Sequence, residues 1–273
     1  MTHTLDVALS FIIGYDRDMI PYDVDRHGRI LPKASEFSND PKQFQRQLER
    51  SLTKWQTLGL PTVWLTVTER QADLIPVAVA LGFHFHHTNN DALNLVYKFD
   101  PDAFVLHYAS HYIGAGGLVI NENNELLTIR QQPLRNGRKP GYKLPGGFIE
   151  VSEHLSDGVR REVLEETGIE TEFESVIGFR LWHLERFGKS DIYFVCCLRP
   201  LSYSITRQES EIAEAIWMPV AEFLTHEDVS VFNRGIVQTA LANQGFVSTW
   251  FDGYHADPAM KQKIELFLPN HPE

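Results

Sequence analysis

The first hundred residues alternate between strand-like and helix-like apolar spacing, which is typical of a small α/β unit with βαβ connections. A strand is predicted at Val7–Ile13, and the polar stretch Tyr15–Asn39 is interpreted as a loop. From Pro41, apolar residues recur every three or four positions and predict an amphipathic helix that ends at Gly59. Further elements are expected at Thr62–Val67 (strand), Gln71–Leu81 (helix), Phe83–His86 (strand) and Leu93–Tyr97 (strand).

The pattern changes from His111 onward. The apolar runs Tyr112–Ile120 and Leu126–Gln131 flank a polar turn and predict a β-hairpin. The stretch Leu155–Thr167 predicts a helix, with Gly168 at the position just past the helix that glycine favours. Other elements are expected at Phe173–Trp182, Asp191–Leu198 and Ala215–Met218 (strands) and at Pro219–Leu224 and Phe232–Ala242 (helices).

The polar segment Asp100–Asp102 separates these two patterns, so we place a domain boundary shortly after it. The predicted organisation is an N-terminal α/β domain of residues 1–105, a second α/β domain of residues 106–230, and a C-terminal helix and tail of residues 231–273. The N-terminal domain is expected to have a structural role, or a role in forming a homodimer.

Charge and composition narrow the classes of partner. The chain has 25 basic and 36 acidic residues and a formal net charge of −11, which disfavours nucleic acid and anionic membranes as partners. A phosphorylated small molecule would therefore need a local positive feature or a metal ion. The adjacent Cys196 and Cys197 are interpreted as buried, inert thiols, and the expected location is the cytoplasm.

Three carboxylates on the helix predicted at Leu155–Thr167 are the main chemical signal. On a wheel of about 100° per residue, Glu162 and Glu166 lie within about 20° of Leu155, on the apolar stripe, and Glu165 borders that stripe. A solvated acidic face would lie opposite the core instead. Carboxylates that point partly inward must be protonated, paired or bound to cations, and their hard oxygen ligands favour Mg²⁺ or Mn²⁺.

The residues that flank the helix support a preorganised site. Gly146 and Gly147 permit close approach of the backbone to a ligand. Glu153 precedes the helix and Arg161 lies within its acidic part, so an ion pair between them is expected to pin the loop to the helix.

Together these positions resemble the Nudix box, G-x5-E-x7-R-E-U-x-E-E-x-G-U, where U is a bulky aliphatic residue, and every fixed position from Gly147 to Ile169 matches. Other segments are similar to the Nudix subgroup of plant ADP-ribose/NADH pyrophosphatases and the animal fibroblast growth factor antisense Nudix protein. One departure is Gly146, where plant members often have Thr. The similar segments are His107–Gly117, Phe187–Asp191, Trp217–Pro219, Val63–Leu65 and Gly82–His87.

The resemblance implies a Nudix α/β/α sandwich around a mixed sheet over roughly residues 108–225, preceded by a smaller acetyltransferase-like α/β domain. It also implies hydrolysis of the pyrophosphate bond of a nucleoside diphosphate-linked substrate, ADP-ribose or NADH, with Mg²⁺ or Mn²⁺. The metal ligands implied are Glu162, Glu165 and Glu166, and Arg161 and Glu153 would orient them. No nucleic acid or membrane partner is expected.

The sequence offers several candidates for the general base and for the substrate contacts. Glu209, Glu211 and Glu214 are candidates for the base, of which Glu211 is favoured, and a surface role is an alternative for each. Phe148, Phe179 and Trp182 are candidates for an aromatic slot that would hold an adenine or nicotinamide ring. Possible contacts to the substrate are Lys143, Arg130, the loop Arg135–Lys139, Arg180, His183 and Lys189.

Two other hypotheses compete with hydrolysis. The same scaffold would also serve a non-catalytic nucleotide sensor or protein-interaction module, which a degraded box would favour and the intact box does not. An acyltransferase activity of the N-terminal domain is disfavoured, because no glycine run that would bind pantetheine or pyrophosphate occurs between Val63 and Gly82.

Overall fold

The computed structural model describes residues 19–133, 137, 139–251, 253–254 and 257–269, except for the side chains of residues 184–186, 258 and 261. The predicted strand Val7–Ile13, Arg135 and Arg138 lie outside the described residues. The chain divides into two compact units between Ala109 and Ser110, slightly later than the boundary predicted between residues 105 and 106.

Within its described residues, the first unit contains five strands and two α-helices. They are β1 (Tyr22–Val24), β2 (Arg29–Pro32), α1 (Pro41–Gln56), β3 (Thr62–Thr68), α2 (Ile75–Ala80), β4 (His84–Asn89) and β5 (Ala92–Lys98). The strands form one mixed sheet in the order β1-β2-β3-β5-β4. β2 and β3 are parallel and are joined through α1. A βαβ connection is therefore present as expected, but its first strand, β2, lies within the stretch predicted as a loop.

Two predictions for the first unit need correction. The loop predicted over Tyr15–Asn39 is wrong for part of its described stretch, because β1 and β2 lie within it. These strands are only three and four residues long, and the turn between them is closed by Asp25, which accepts hydrogen bonds from the backbone N–H and the guanidinium of Arg29. The helix predicted at Gln71–Leu81 begins as 3-10 turns, and its α-helical part starts only at α2, where Pro76 occupies the first turn.

The described part of the second unit contains the remaining elements. They are β6 (His111–Val119), β7 (Glu125–Gln131), β8 (Gly146–Phe148), α3 (Leu155–Thr167), β9 (Thr171–Arg186), β10 (Lys189–Pro200), β11 (Ile212–Pro219), α4 (Val220–Thr225), α5 (Val231–Ala242), β12 (Phe246–Ser248) and β13 (Phe267–Pro269). Six strands form a sheet in the order β13-β12-β9-β10-β6-β8, and β7 pairs with β11 in a separate two-stranded sheet.

The six-stranded sheet lies between helices on both faces. Successive side chains of a strand point to opposite faces. Ala115 of β6 therefore joins a core with Val163 of α3, while Leu118 of the same strand joins a second core with Phe223 of α4. Because β10 is parallel to β6 and antiparallel to β9, the sheet is mixed. The predicted α/β/α sandwich is confirmed.

The predicted β-hairpin between Tyr112–Ile120 and Leu126–Gln131 is wrong. A turn joins β6 to β7, and one backbone bridge between Ile120 and Leu126 links them, but β7 pairs along its length with β11. Apolar alternation predicts that a segment is a strand, whereas its partner depends on contacts that are distant in sequence.

The predicted C-terminal helix and tail belong to the second unit. α5 packs Val237 into the core, and β12 and β13 extend the six-stranded sheet beside β9. Cys196 and Cys197 point to opposite faces of the sheet and are free thiols. Cys196 is buried as predicted, whereas Cys197 is only half-buried. Among the described residues, no helix is both long enough and apolar enough to cross a lipid bilayer.

Candidate active site

Helix α3 places two of the three predicted carboxylates against the protein interior. It packs Leu155, Val159 and Val163 into the core and ends at Gly168, whose left-handed conformation (φ 74°) closes the helix as the sequence predicts. Glu166 lies on this stripe and is only 3% exposed. The interpretation of these carboxylates as partly inward-facing is confirmed for Glu162 and Glu166, whereas the side chain of Glu165 is exposed.

Glycines beside α3 make this packing possible. Gly146 has a φ of 146°, which favours glycine, and a Cβ there would lie 2.1 Å from the backbone oxygen of Ala115. A Cβ on Gly147 would lie 2.5 Å from Oε2 of Glu162. The β8 backbone therefore approaches the carboxylates more closely than any side chain allows.

Glu166 is a buried acid in an electrostatically unfavourable position. The backbone N–H of Gly146 donates a hydrogen bond of 2.6 Å to its Oε2. Burial raises the pKa of Glu166 to about 7, and the charges of Glu162 and Glu211 act in the same direction, whereas Lys143 and the Gly146 N–H oppose them. A cation near Glu166 would therefore be strongly favoured.

Glu162 and Glu211 complete this carboxylate cluster. Burial raises the pKa of Glu162, and Glu165 and Glu211 add to the shift, while Arg161 opposes it. Glu211 thus acts electrostatically on both Glu162 and Glu166, and its Oε1 accepts a hydrogen bond of 3.4 Å from Gln131. Of the three candidates for the base, the structure brings Glu211 to the cluster.

The other two candidates for the base have different surroundings. Oε2 of Glu214 accepts a hydrogen bond of 2.7 Å from the Tyr142 hydroxyl and lies 3.7 Å from Nε of Arg130. For Glu209, the backbone oxygen accepts a hydrogen bond of 2.9 Å from Gln132.

Arg161 organises the loop and the helix, and the expected ion pair with Glu153 is present. Its Nε and Nη2 donate to the two oxygens of Glu153 at 2.7 and 3.0 Å, and Nη2 also donates to the backbone oxygen of Phe148. Its Nη1 donates to Glu162 and Glu165 at 2.9 and 3.1 Å. The guanidinium lowers the pKa of Glu153, which therefore stays ionised.

Comparison with known proteins identifies the family. A model described as "Nudix hydrolase domain" matches residues 20–99, and one described as "NUDIX domain" matches residues 110–239. "Nudix hydrolase 2" of Arabidopsis thaliana is 39% identical over 207 residues, which cover 76% of this chain and 74% of that protein. The chain belongs to the Nudix hydrolase family.

Two more relatives are similar over most of the chain. "Nudix hydrolase 8" of Arabidopsis thaliana is 37% identical over 211 residues, 77% of this chain, and the matched part spans 57% of that longer protein. "Nucleoside diphosphate-linked moiety X motif 6" of Homo sapiens is 32% identical over 226 residues, covering 80% of this chain and 71% of that protein.

Nudix hydrolases generally use divalent metals such as Mg²⁺ or Mn²⁺. Among the described residues, no three carboxylate, imidazole or thiol side chains are arranged to hold a metal ion together. Arg161 donates hydrogen bonds to Glu165 and to one oxygen of Glu162 in this structure. The mutual repulsion of Glu162, Glu166 and Glu211 and their oxygen chemistry nevertheless fit a hard cation.

A polar cavity of about 500 Å³ is lined in part by Gln131, whose side chain also donates a hydrogen bond of 3.4 Å to Glu211. Arg130, Lys139 and Arg207 line it as well. Arg130 and Lys139 are predicted from the sequence as possible substrate contacts. Arg207 is not, because nothing in the local pattern around it distinguishes it from a surface residue.

Within the cavity, Arg130 is fixed by neighbours that the sequence does not reveal. Its Nη2 donates to Asp228 at 2.8 Å, its Nη1 donates to the backbone oxygen of Pro140, and its guanidinium lies 4.0 Å from the centre of the Tyr142 ring. Lys143 differs, since its charge acts on Glu166 in the cluster. The two predicted phosphate contacts therefore have different surroundings.

The remaining predicted contacts lie in other surroundings. Arg180 donates to Asp191 at 2.8 Å and borders an apolar groove of about 370 Å³ that Phe179 also lines. Nδ1 of His183 lies 3.0 Å from the Ser190 hydroxyl.

Phe148 and Trp182, which are predicted to hold a ring of the substrate, have different neighbours. Phe148 is 43% exposed and its ring centre is 5.8 Å from that of Tyr112, over which Lys189 places its ammonium at 5.1 Å. Trp182 contacts the Arg180 guanidinium at 5.1 Å.

Proposed function

We propose that this chain hydrolyses the pyrophosphate bond of a nucleoside diphosphate-linked substrate, ADP-ribose or NADH, with Mg²⁺ or Mn²⁺. The observation that supports this most strongly is the pair Glu162 and Glu166, whose ionisation is disfavoured by burial and by the negative charges around them, including Glu211, unless a cation is present. Glu165, which is more exposed, would join Glu162 and Glu166 as a ligand.

In this proposal the chain's residues position the reacting groups. A bound divalent ion supplies charge neutralisation of the diphosphate and lowers the pKa of water. Arg161 fixes Glu162 relative to the β8 loop, and Lys143 provides a positive charge beside Glu166. Glu211 accepts a proton from the attacking water at a carboxylate oxygen.

The polar cavity is the proposed site for anionic parts of the substrate. Three of its lining residues are basic, and its volume of about 500 Å³ falls within the range of small-molecule sites. Its connection to Glu211 through Gln131 would let one ligand reach both the cavity and the cluster. The name of the human relative also refers to a nucleoside diphosphate-linked moiety.

The test is a substrate panel of ADP-ribose, NADH, FAD and coenzyme A, each with and without Mg²⁺, followed by chromatography of the products. We expect AMP from ADP-ribose or NADH only when the metal is present. Tight binding of these compounds with no product under Mg²⁺ or Mn²⁺ would contradict the proposal and support the nucleotide-sensing alternative.

The homodimer and the cytoplasmic location stay predictions. Light scattering on the full chain tests the first, and a monomer at micromolar concentration would contradict it.

A further inference from the structure

The N-terminus of α3 is capped by a residue that lies far away in sequence. The residue at the cap position, His154, makes no side-chain cap hydrogen bond. Instead Glu265 accepts hydrogen bonds from the backbone N–H of Leu155 at 2.5 Å and of Ser156 at 3.1 Å. The Ser156 hydroxyl donates to the same carboxylate at 2.6 Å.

A second contact ties His154 to the same C-terminal segment. Nδ1 of His154 lies 3.6 Å from Oε2 of Glu265, and its Nε2 lies 2.8 Å from the backbone oxygen of Gln262. The first N–H groups of a helix have no partner within the helix, and a carboxylate there also interacts favourably with the helix dipole. Glu265 satisfies both requirements for α3.

The segment that carries Glu265 is itself anchored to the sheet. The backbone N–H of Thr249 donates to the oxygen of Leu266 at 2.8 Å, and β13 pairs with β12, which contacts β9. The ring of Phe267 packs 5.4 Å from that of Phe173. Glu265 therefore connects a fixed sheet edge to the helix that carries Glu162 and Glu166.

We propose that Glu265 is a positioning residue for the hydrolytic site: it fixes the start of α3 and thereby sets where Glu162 and Glu166 stand relative to the β8 loop. This inference rests on the proposed function. A displacement of about 1 Å far from the chemistry is enough to slow an enzyme strongly. The sequence carries no sign of this role, because a single Glu in a C-terminal segment has no motif around it.

The test compares Glu265→Ala and Glu265→Gln with Ser230→Ala. Ser230 caps α5 in the same unit by accepting a hydrogen bond of 3.2 Å from the N–H of Asn233, so its loss is a matched cap deletion on a helix without the carboxylate cluster. Five quantities are measured for each variant: amide hydrogen exchange, Mn²⁺ affinity by titration calorimetry, kcat, KM and the unfolding temperature.

We expect Glu265→Ala to speed exchange at Leu155 and Ser156 by about tenfold. It should lower kcat by about tenfold with KM changed less than about twofold, and it should weaken Mn²⁺ binding by about fivefold. Glu265→Gln keeps one acceptor oxygen and should fall between wild type and Glu265→Ala. Ser230→Ala should lower the unfolding temperature about as much as Glu265→Ala does, but should leave kcat and Mn²⁺ affinity unchanged.

Two results would overturn the inference. The first is an active wild type whose kcat and Mn²⁺ affinity are the same in both Glu265 variants. The second is an equal loss of both in Ser230→Ala, which would show a general effect of reduced stability. A wild type that hydrolyses no substrate would instead overturn the proposed function itself.

Discussion

The interiors of the two units differ in the polar groups that they bury. Among the described residues of the first unit, the buried polar side chains are Ser51 and Thr62, both neutral, within a core that contains Phe44, Leu48 and Trp55. The described side chains of the second unit include two buried carboxylic acids, Glu166 and Asp191, as well as neutral groups. The first interior is built for apolar burial, whereas the second accommodates acidic groups.

The two buried acids of the second unit differ in turn. Asp191 accepts a hydrogen bond from the Arg180 guanidinium, which compensates its charge. Glu166 receives one backbone hydrogen bond and faces two other carboxylates, and burial raises its pKa to about 7. A buried acid whose charge is only partly compensated is costly to fold, so its presence at this position indicates a functional site.

The largest expected effect comes from removing the charge of Glu166. Glu166→Gln should lower kcat/KM by about a thousandfold, because a metal ligand is lost while the shape of the side chain is kept. Glu49→Gln in α1, an exposed glutamate of the first unit, is the matched control and should leave kcat/KM unchanged. Steady-state kinetics with ADP-ribose measures both. Full activity of Glu166→Gln would remove the assigned site.

The second largest effect is expected in the pH dependence of the free energy of unfolding, which Glu166 of the second unit should influence. Since the pKa of Glu166 rises from an ordinary 4.5 to about 7 on folding, its contribution to stability is present below pH 4.5 and is lost as the pH rises through 7. In EDTA, Glu166→Gln should therefore exceed wild type in free energy of unfolding at pH 8 by about 3 kcal/mol. Urea denaturation from pH 5 to pH 8 measures this, and parallel curves for the two proteins would contradict it.

A smaller effect is expected at Gly147. Gly147→Ala places a methyl group 2.5 Å from Glu162 and should lower the free energy of unfolding by about 2 kcal/mol, with a loss of activity. Gly178→Ala in β9, whose Cβ would meet nothing within 4 Å, is the control and should change neither quantity by much. Thermal unfolding and kinetics measure both variants. Equal effects at the two positions would show that Gly147 has no special contact with the carboxylates.

Much of the site is predictable because its residues are close in sequence. Helical periodicity locates α3 and the inward direction of Glu162 and Glu166, and the spacing of Glu153 and Arg161 predicts their ion pair. These inferences need only the geometry of one helix and one adjoining loop.

The remainder depends on contacts between distant segments. β7 pairs with β11, a partner that no local pattern specifies. The polar turn after β6 instead favours a hairpin of β6 with β7, and that prediction is wrong. Glu265 reaches Leu155 across 110 positions, and Asp228 reaches Arg130 across 98. A single sequence shows the propensity of each segment but not which of these pairings is formed.

The most direct test of the central claim is anomalous diffraction from crystals soaked in Mn²⁺, recorded at the manganese edge. We expect an anomalous peak from a manganese ion that is bound by carboxylate oxygens of Glu162 and Glu166, with Arg161 withdrawn from Glu162. Turnover that depends on Mn²⁺, together with a peak elsewhere and none at these two residues, would contradict it.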